Sequence, residues 1–159
     1  MKLDQLASDE VENRQRAVHV PLLPLQQFLQ NMKTEMHLEE SIVAVCLVSE
    51  TEMARLNKTY RKISGPTDVL SFPSVPGRKL LRFRPRKMVL RGGSFLGDIA
   101  ISPATAQRYA KKNGRTLLSE IQVLILHGVL HLLGYDHETD RGQMDEVEQK
   151  LRERLGIAS

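Results

Sequence analysis

Three of the five histidines fall within eleven residues, His127-Gly128-Val129-Leu130-His131-Leu132-Leu133-Gly134-Tyr135-Asp136-His137. Residues four apart on an α-helix share a face, with Cβ atoms about 5–6 Å apart, so the imidazoles of His127 and His131 can converge on one ion. Gly134 stands where such a helix would stop, because glycine takes the left-handed conformation at no steric cost. A chain that turns there can return His137 as a third ligand. Three neutral imidazoles leave a tetrahedral zinc with an open fourth position, the pattern of a catalytic rather than a structural site. A thiolate site is excluded, since Cys46 is the lone cysteine. One histidine on an apolar helix is more often a hydrogen-bonded core residue than a ligand. Three at this spacing reverse that, because the surrounding helix is otherwise almost wholly apolar and unpaired imidazoles there would cost free energy.

The spacing HxxxHxxGxxH resembles the zinc-binding stretch of the metzincin proteases, HExxHxxGxxH, with Gly128 at the position of their glutamate. That glutamate takes the proton from the attacking water. Without it the metal frame is present and the usual base is absent, so a peptidase reading is weakened. Asp136 and Glu138 flank His137 and could act as a base or receive the second ring N–H of a ligand histidine. Asp68 and Asp98 are further candidates for orienting groups.

The elements that must position these residues follow from patterning. Residues 14 to 19 read as a first short strand before Pro21. From Pro24, the residues Leu25, Phe28, Leu29, Met32 and Met36 recur at helical spacing. Ile42 to Val48 is a continuous apolar, β-branched run, a strand buried on both faces, with Cys46 as an inert core thiol. Ser49 and Glu52 form a capping box ahead of a helix carrying Met53, Leu56 and Tyr60, which ends between Arg61 and Gly65. Val69 to Phe72 is a short strand closed by Pro73. Phe95 to Ser102 is another, unusual in holding Gly97 and Asp98. Ser102 and Pro103 open a helix that stops at Asn113-Gly114, and Thr116 caps the metal-bearing helix, which is apolar all round and therefore central. Thr139 is expected to cap a last helix with Met144, Val147, Leu151 and Leu155 on one face and Gly156 as its stop. The predicted fold class is α+β: a small mixed four-stranded sheet covered by about five helices, with the central apolar helix carrying the metal site.

With 159 residues the chain reads as one domain, 1–159, and its 41% hydrophobic and 26% charged content is that of an ordinary globular protein. The single cysteine suits a reducing compartment, the polar and acidic start does not read as a signal peptide, and no apolar run approaches a membrane span. A cytoplasmic location is expected. Between Gly77 and Gly93 lie seven cations and no acidic residue, a local +7 against a chain total of +4, so the remainder is net −3. This basic loop insertion, with Phe83 inside it, suits phosphate neutralisation and base stacking, or is simply a solvated loop.

Pro66-Thr67-Asp68-Val69-Leu70-Ser71-Phe72-Pro73, Leu96-Gly97-Asp98-Ile99 and the histidine stretch with its Gly128 together resemble the YbeY family of bacterial rRNA-maturation endoribonucleases. The resemblance runs from about Val43 to Gly156. It implies one zinc per chain on His127, His131 and His137, and it places at Arg61 a basic residue implicated in activity. Taken alone, Arg61 would read as half of a salt bridge at a helix end. The implied function is single-strand-specific, zinc-dependent endoribonuclease action in late small-subunit (16S) rRNA maturation and ribosome quality control. The implied partners are single-stranded RNA and the small ribosomal subunit or its proteins, with no membrane and no DNA. The alternative is a non-catalytic RNA- or ribosome-binding module whose zinc is structural.

Overall fold

The computed structural model describes residues 10–74, 94–136 and 138–157. Among these are four strands and five helices, in the order β1 (Val11–Asn13), α1 (Leu22–Glu35), β2 (Ser41–Leu47), α2 (Glu50–Arg61), β3 (Val69–Pro73), β4 (Ser94–Ile101), α3 (Pro103–Asn113), α4 (Leu117–Leu132) and α5 (Gln143–Leu155). The strands form one mixed sheet of order β1-β2-β4-β3, with β1, β2 and β4 parallel and β3 antiparallel to β4. This is the α+β architecture expected from the patterning. The basic loop 77–93 lies outside the described residues.

Strand alternation sorts the core into two layers. Val43, Val45 and Leu47 of β2, with Ile99 and Ile101 of β4, face α1, α3, α4 and α5. Cys46 and Ala100 face the other way and meet Met53 and Leu56 of α2, together with Leu70 and Phe72 of β3. Burial pushes the Cys46 thiol up to about 12, which keeps it protonated and inert. Helix α4 is buried around most of its circumference, from Ile121 to Leu132, as its composition requires.

Two local expectations are corrected. Residues 14–19 form no strand, because the Gln15 side chain ties them into a turn: its Nε2 donates to the Val18 carbonyl at 2.8 Å and its Oε1 accepts from the Val18 N–H at 3.0 Å. The first strand lies just ahead, where Val11–Asn13 pairs with Val45–Leu47. Nor does Thr139 cap α5. The cap position is Gly142, and Asp140 supplies the acceptors, Oδ1 to the Gly142 N–H and Oδ2 to the Met144 N–H, both at 2.9 Å. A carboxylate there also complements the positive end of the helix dipole. The other caps fall where expected, with Ser49, Ser102 and Thr116 each accepting from the N–H three residues on.

A buried ion pair was not foreseen. Lys33 of α1 donates to Glu10 Oε2 at 2.8 Å, both side chains are almost wholly enclosed, and Glu10 Oε1 accepts from the Val43 N–H at 3.1 Å. It ties α1 to the β1–β2 side of the sheet.

Candidate metal centre

The C-terminal half of α4 is pressed on the sheet more closely than side chains would allow. A Cβ at Gly128 would lie 2.9 Å and 3.0 Å from Ile99 Cδ1 and Cγ2, and 3.1 Å from Ser71 Oγ. Ser71 Oγ in turn donates to the Gly128 carbonyl at 3.3 Å. Gly97, at φ +149°, makes the matching concession on β4: a side chain there would meet the Phe72 carbonyl oxygen and Leu132. It follows a bulge in which Leu96 is the extra residue between the Ile42–Phe95 and Val43–Gly97 pairs. The glycine at the metzincin glutamate's position therefore faces the sheet, and the first side-chain carbon of a glutamate there would already collide with Ile99 and crowd Ser71.

His127 and His131 flank that contact, half-buried in the last two turns of α4. Their Nε2 atoms face each other at 3.1 Å. Both Nδ1 atoms are engaged: His127 Nδ1 lies 2.9 Å from Glu148 Oε1 on α5, and His131 Nδ1 lies 3.0 Å from the Tyr135 carbonyl. A carboxylate and a carbonyl only accept, so each Nδ1 carries the proton and each Nε2 presents its lone pair inward. Two lone pairs at that separation repel unless a cation or proton lies between them. Tetrahedral zinc with bonds of about 2.0–2.1 Å holds its nitrogens about 3.3–3.4 Å apart, so the pair fits such an ion to within a few tenths of an ångström.

Gly134, at φ +105°, ends the helix as expected, and the Tyr135 N–H bonds back to the Leu130 carbonyl at 3.0 Å. The chain has then doubled back far enough for the Tyr135 carbonyl to lie against His131. His137 comes two residues later and lies outside the described residues. Among the described residues no group of three or more His, Cys, Asp or Glu side chains is arranged to hold a metal.

Of the carboxylates flanking His137, Asp136 is spent locally, its Oδ1 accepting from the Glu138 N–H at 3.0 Å, and Glu138 is exposed. The carboxylate that does meet the pair is Glu148, which the sequence reading missed. Its only advance signal is its spacing to Arg152, which bonds its other oxygen at 2.9 Å. Burial pushes the Glu148 carboxyl up, but the hydrogen bonds from His127 and Arg152 and the Arg152 charge outweigh it and hold it below the usual carboxylate range.

Arg61, the last residue of α2, is exposed and forms no salt bridge among the described residues. It is not hydrogen-bonded to the histidine pair. The preceding Tyr60 packs edge-on against Phe72 of β3 with ring centroids 5.1 Å apart, whereas the adjacent Ser71 points to the other face of the sheet and touches Gly128. Lys62 ends α2 in the left-handed conformation, and Asn57 Nδ2 pins the following loop at the Gly65 carbonyl, 2.9 Å away. Asp98 is fully buried in β4, while Asp68 is half-buried beside Thr67.

The chain matches the family model described as Endoribonuclease YbeY over residues 10–156. Proteins named Endoribonuclease YbeY from Solibacter usitatus and Koribacter versatilis are 44% identical over 111 residues and 40% identical over 117. Those matches cover 70% and 74% of this chain, and the chain spans just under two thirds of the two relatives' lengths, 64% and 66%. The protein of that name from Caldanaerobacter subterraneus is 36% identical over 152 residues, covering 92% of this chain and 96% of its own. Among solved structures, that of TM1509 from Thermotoga maritima superposes with a TM-score of 0.59 at 28% identity, over 92% of this chain and 87% of its own. With the paired imidazoles on α4 and a family match running across both helices of the centre, the chain belongs to the YbeY endoribonuclease family.

Proposed function

We propose that the protein is a single-strand-specific, zinc-dependent endoribonuclease of the cytoplasm that acts in late small-subunit rRNA maturation and ribosome quality control. The observation that carries the zinc reading is the pair of Nε2 atoms facing each other at 3.1 Å with both Nδ1 protons engaged elsewhere. Family membership supports RNA as the substrate. No helix among the described residues is long and apolar enough to cross a membrane.

His127, His131 and His137 would hold the ion, one per chain. Zinc in such a site supplies Lewis acidity toward phosphate oxygens and acidifies water. The chain's own contribution is to aim two lone pairs at one point and to keep the site half-open to solvent. Among the described residues Arg61 has no carboxylate partner, and its planar guanidinium suits the oxygens of a phosphodiester whose charge grows in the transition state.

The test is metal content and cleavage of single-stranded RNA in the same samples, before and after chelation and zinc return. One zinc per chain, with cleavage that disappears and recovers, is the expected result. His131→Ala should abolish cleavage in a folded protein, and Arg61→Lys should lower it with zinc content intact. A zinc whose removal unfolds the chain, with no cleavage in any state, would favour the RNA-binding module with a structural ion. Absence of any bound metal would refute the zinc reading.

A further inference from the structure

We propose that Glu148, braced by Arg152, is the positioning residue of the metal centre: it fixes the tautomer and ring plane of His127 and so sets the site's affinity for zinc. This rests on the reading of the histidine pair as a metal site. The two histidines are held in the same tautomer by different means. His131 gives its Nδ1 proton to the Tyr135 backbone carbonyl in the turn that follows α4, whereas His127 gives its own to a side chain from another helix. That carboxylate is gripped from both sides, Oε1 by His127 and Oε2 by the Arg152 guanidinium one turn along α5, each at 2.9 Å. Side-chain exposure is 12% for Glu148 and 18% for Arg152, so water cannot readily take over either contact.

Helix α5 is anchored independently of any ion. Met144 and Leu151, fully and nearly fully buried, join the main core cluster and set the place from which Glu148 reaches His127. The carboxylate is therefore in position before a metal arrives, and its charge adds to the field of a site otherwise built of neutral rings. An acceptor behind a ligand histidine raises the basicity of the ligating nitrogen, and its loss typically weakens metal binding by about 10–100-fold. By linkage, an ion bound at Nε2 must strengthen the Glu148 contact by the same factor.

The experiment uses the whole chain. Zinc affinity is measured by competition with a chelator for the wild type, Glu148→Ala and Glu148→Gln, and the histidine tautomers of the metal-free proteins are read from ring nitrogen chemical shifts. Glu148→Ala should bind zinc about 10–100-fold more weakly. In that variant His127 should become a mixture of tautomers while His131 keeps its Nδ1 proton. Glu148→Gln should fall between, because its amide oxygen accepts the same proton without the charge. It is also isosteric, so it remains the judge if the alanine variant fails to fold. Wild-type affinity in the variants, or an unchanged His127 tautomer, would overturn the proposal. A wild type that binds no zinc would refute the metal reading instead, and the tautomer measurement would still decide whether Glu148 sets the ring.

Discussion

Gly128→Ala adds one methyl group at a close contact between α4 and the sheet, and two opposed effects can be sized. In a helix interior, alanine is favoured over glycine by about 1 kcal/mol. Against this, the new Cβ would lie 2.9 Å from Ile99 Cδ1, 3.0 Å from Ile99 Cγ2 and 3.1 Å from Ser71 Oγ. Ile99 is completely buried and has nowhere to swing, so the insertion counts as overpacking, which costs about 1–3 kcal/mol. The net expectation is a destabilisation of about 1 kcal/mol, or roughly 2–4 °C in Tm for a chain of this size. Urea and thermal denaturation of the metal-free proteins would measure it. A partner substitution sharpens the test: Ile99→Val removes the nearest atom and alone should cost about 0.5–1.5 kcal/mol. Combined with Gly128→Ala it should be milder than the two effects added, with a coupling of at least about 0.5 kcal/mol. Gly128→Ala that stabilises the protein, or strict additivity in the pair, would refute the close-approach explanation. The same geometry predicts that Gly128→Glu, which restores the metzincin spelling, yields a poorly folded chain and no peptidase.

Lys33→Met should be costly, because it leaves the Glu10 carboxylate buried and without its cation; breaking such pairs costs about 3–5 kcal/mol. The Val43 N–H and Gln30 still reach that carboxylate, which sets the expectation at the lower end, and a loss below about 1 kcal/mol in urea denaturation would contradict it. Glu50 offers a pH test: hydrogen bonds from Arg108 and Thr105 hold its carboxyl below the usual range, against a small opposing push from burial. A carboxyl lowered in the folded state contributes stability above its unfolded value of about 4.3, and this is lost as pH falls through the folded value. Because Glu50 is partly exposed, Glu50→Gln should cost only about 0.5 kcal/mol at pH 7, a gap that closes in acid. A gap that stays constant with pH would show that the carboxyl is not the source.

Much of this was readable before the fold was seen, for reasons that differ from residue to residue. Ser49, Ser102 and Thr116 announce helix starts because a hydroxyl just ahead of an apolar periodicity has little else to do. The apolar run at β2 and the all-round apolar α4 were legible because burial on every side leaves no polar phase to misread. The first strand was misplaced because Val11–Asn13 is too short to show an alternation and draws its order from β2. Thr139 reads as the cap, where the fold uses Asp140, because the spacing of the helix's apolar residues does not say where its first turn begins. The Glu148 contact was invisible for a deeper reason: it joins two helices whose packing angle no spacing encodes. Gly128 was noticed for the chemistry it lacks, whereas the fold shows what it permits.

The parallel pairing of β2 with β4 bears on how the chain acquires its shape. Ser41 aligns with Ser94 and Leu47 with Ile101, so the two central strands meet only after about fifty intervening residues have been made and gathered in. Contacts that distant in sequence slow folding, because loop entropy is lost before pairing compensates for it. During synthesis β1, α1 and β2 would emerge with the β2 edge still unpaired, an aggregation-prone condition that persists until β4 arrives. The helix bearing His127 and His131 comes after β4 and α3, so the centre is made only once every strand of the sheet has been synthesised.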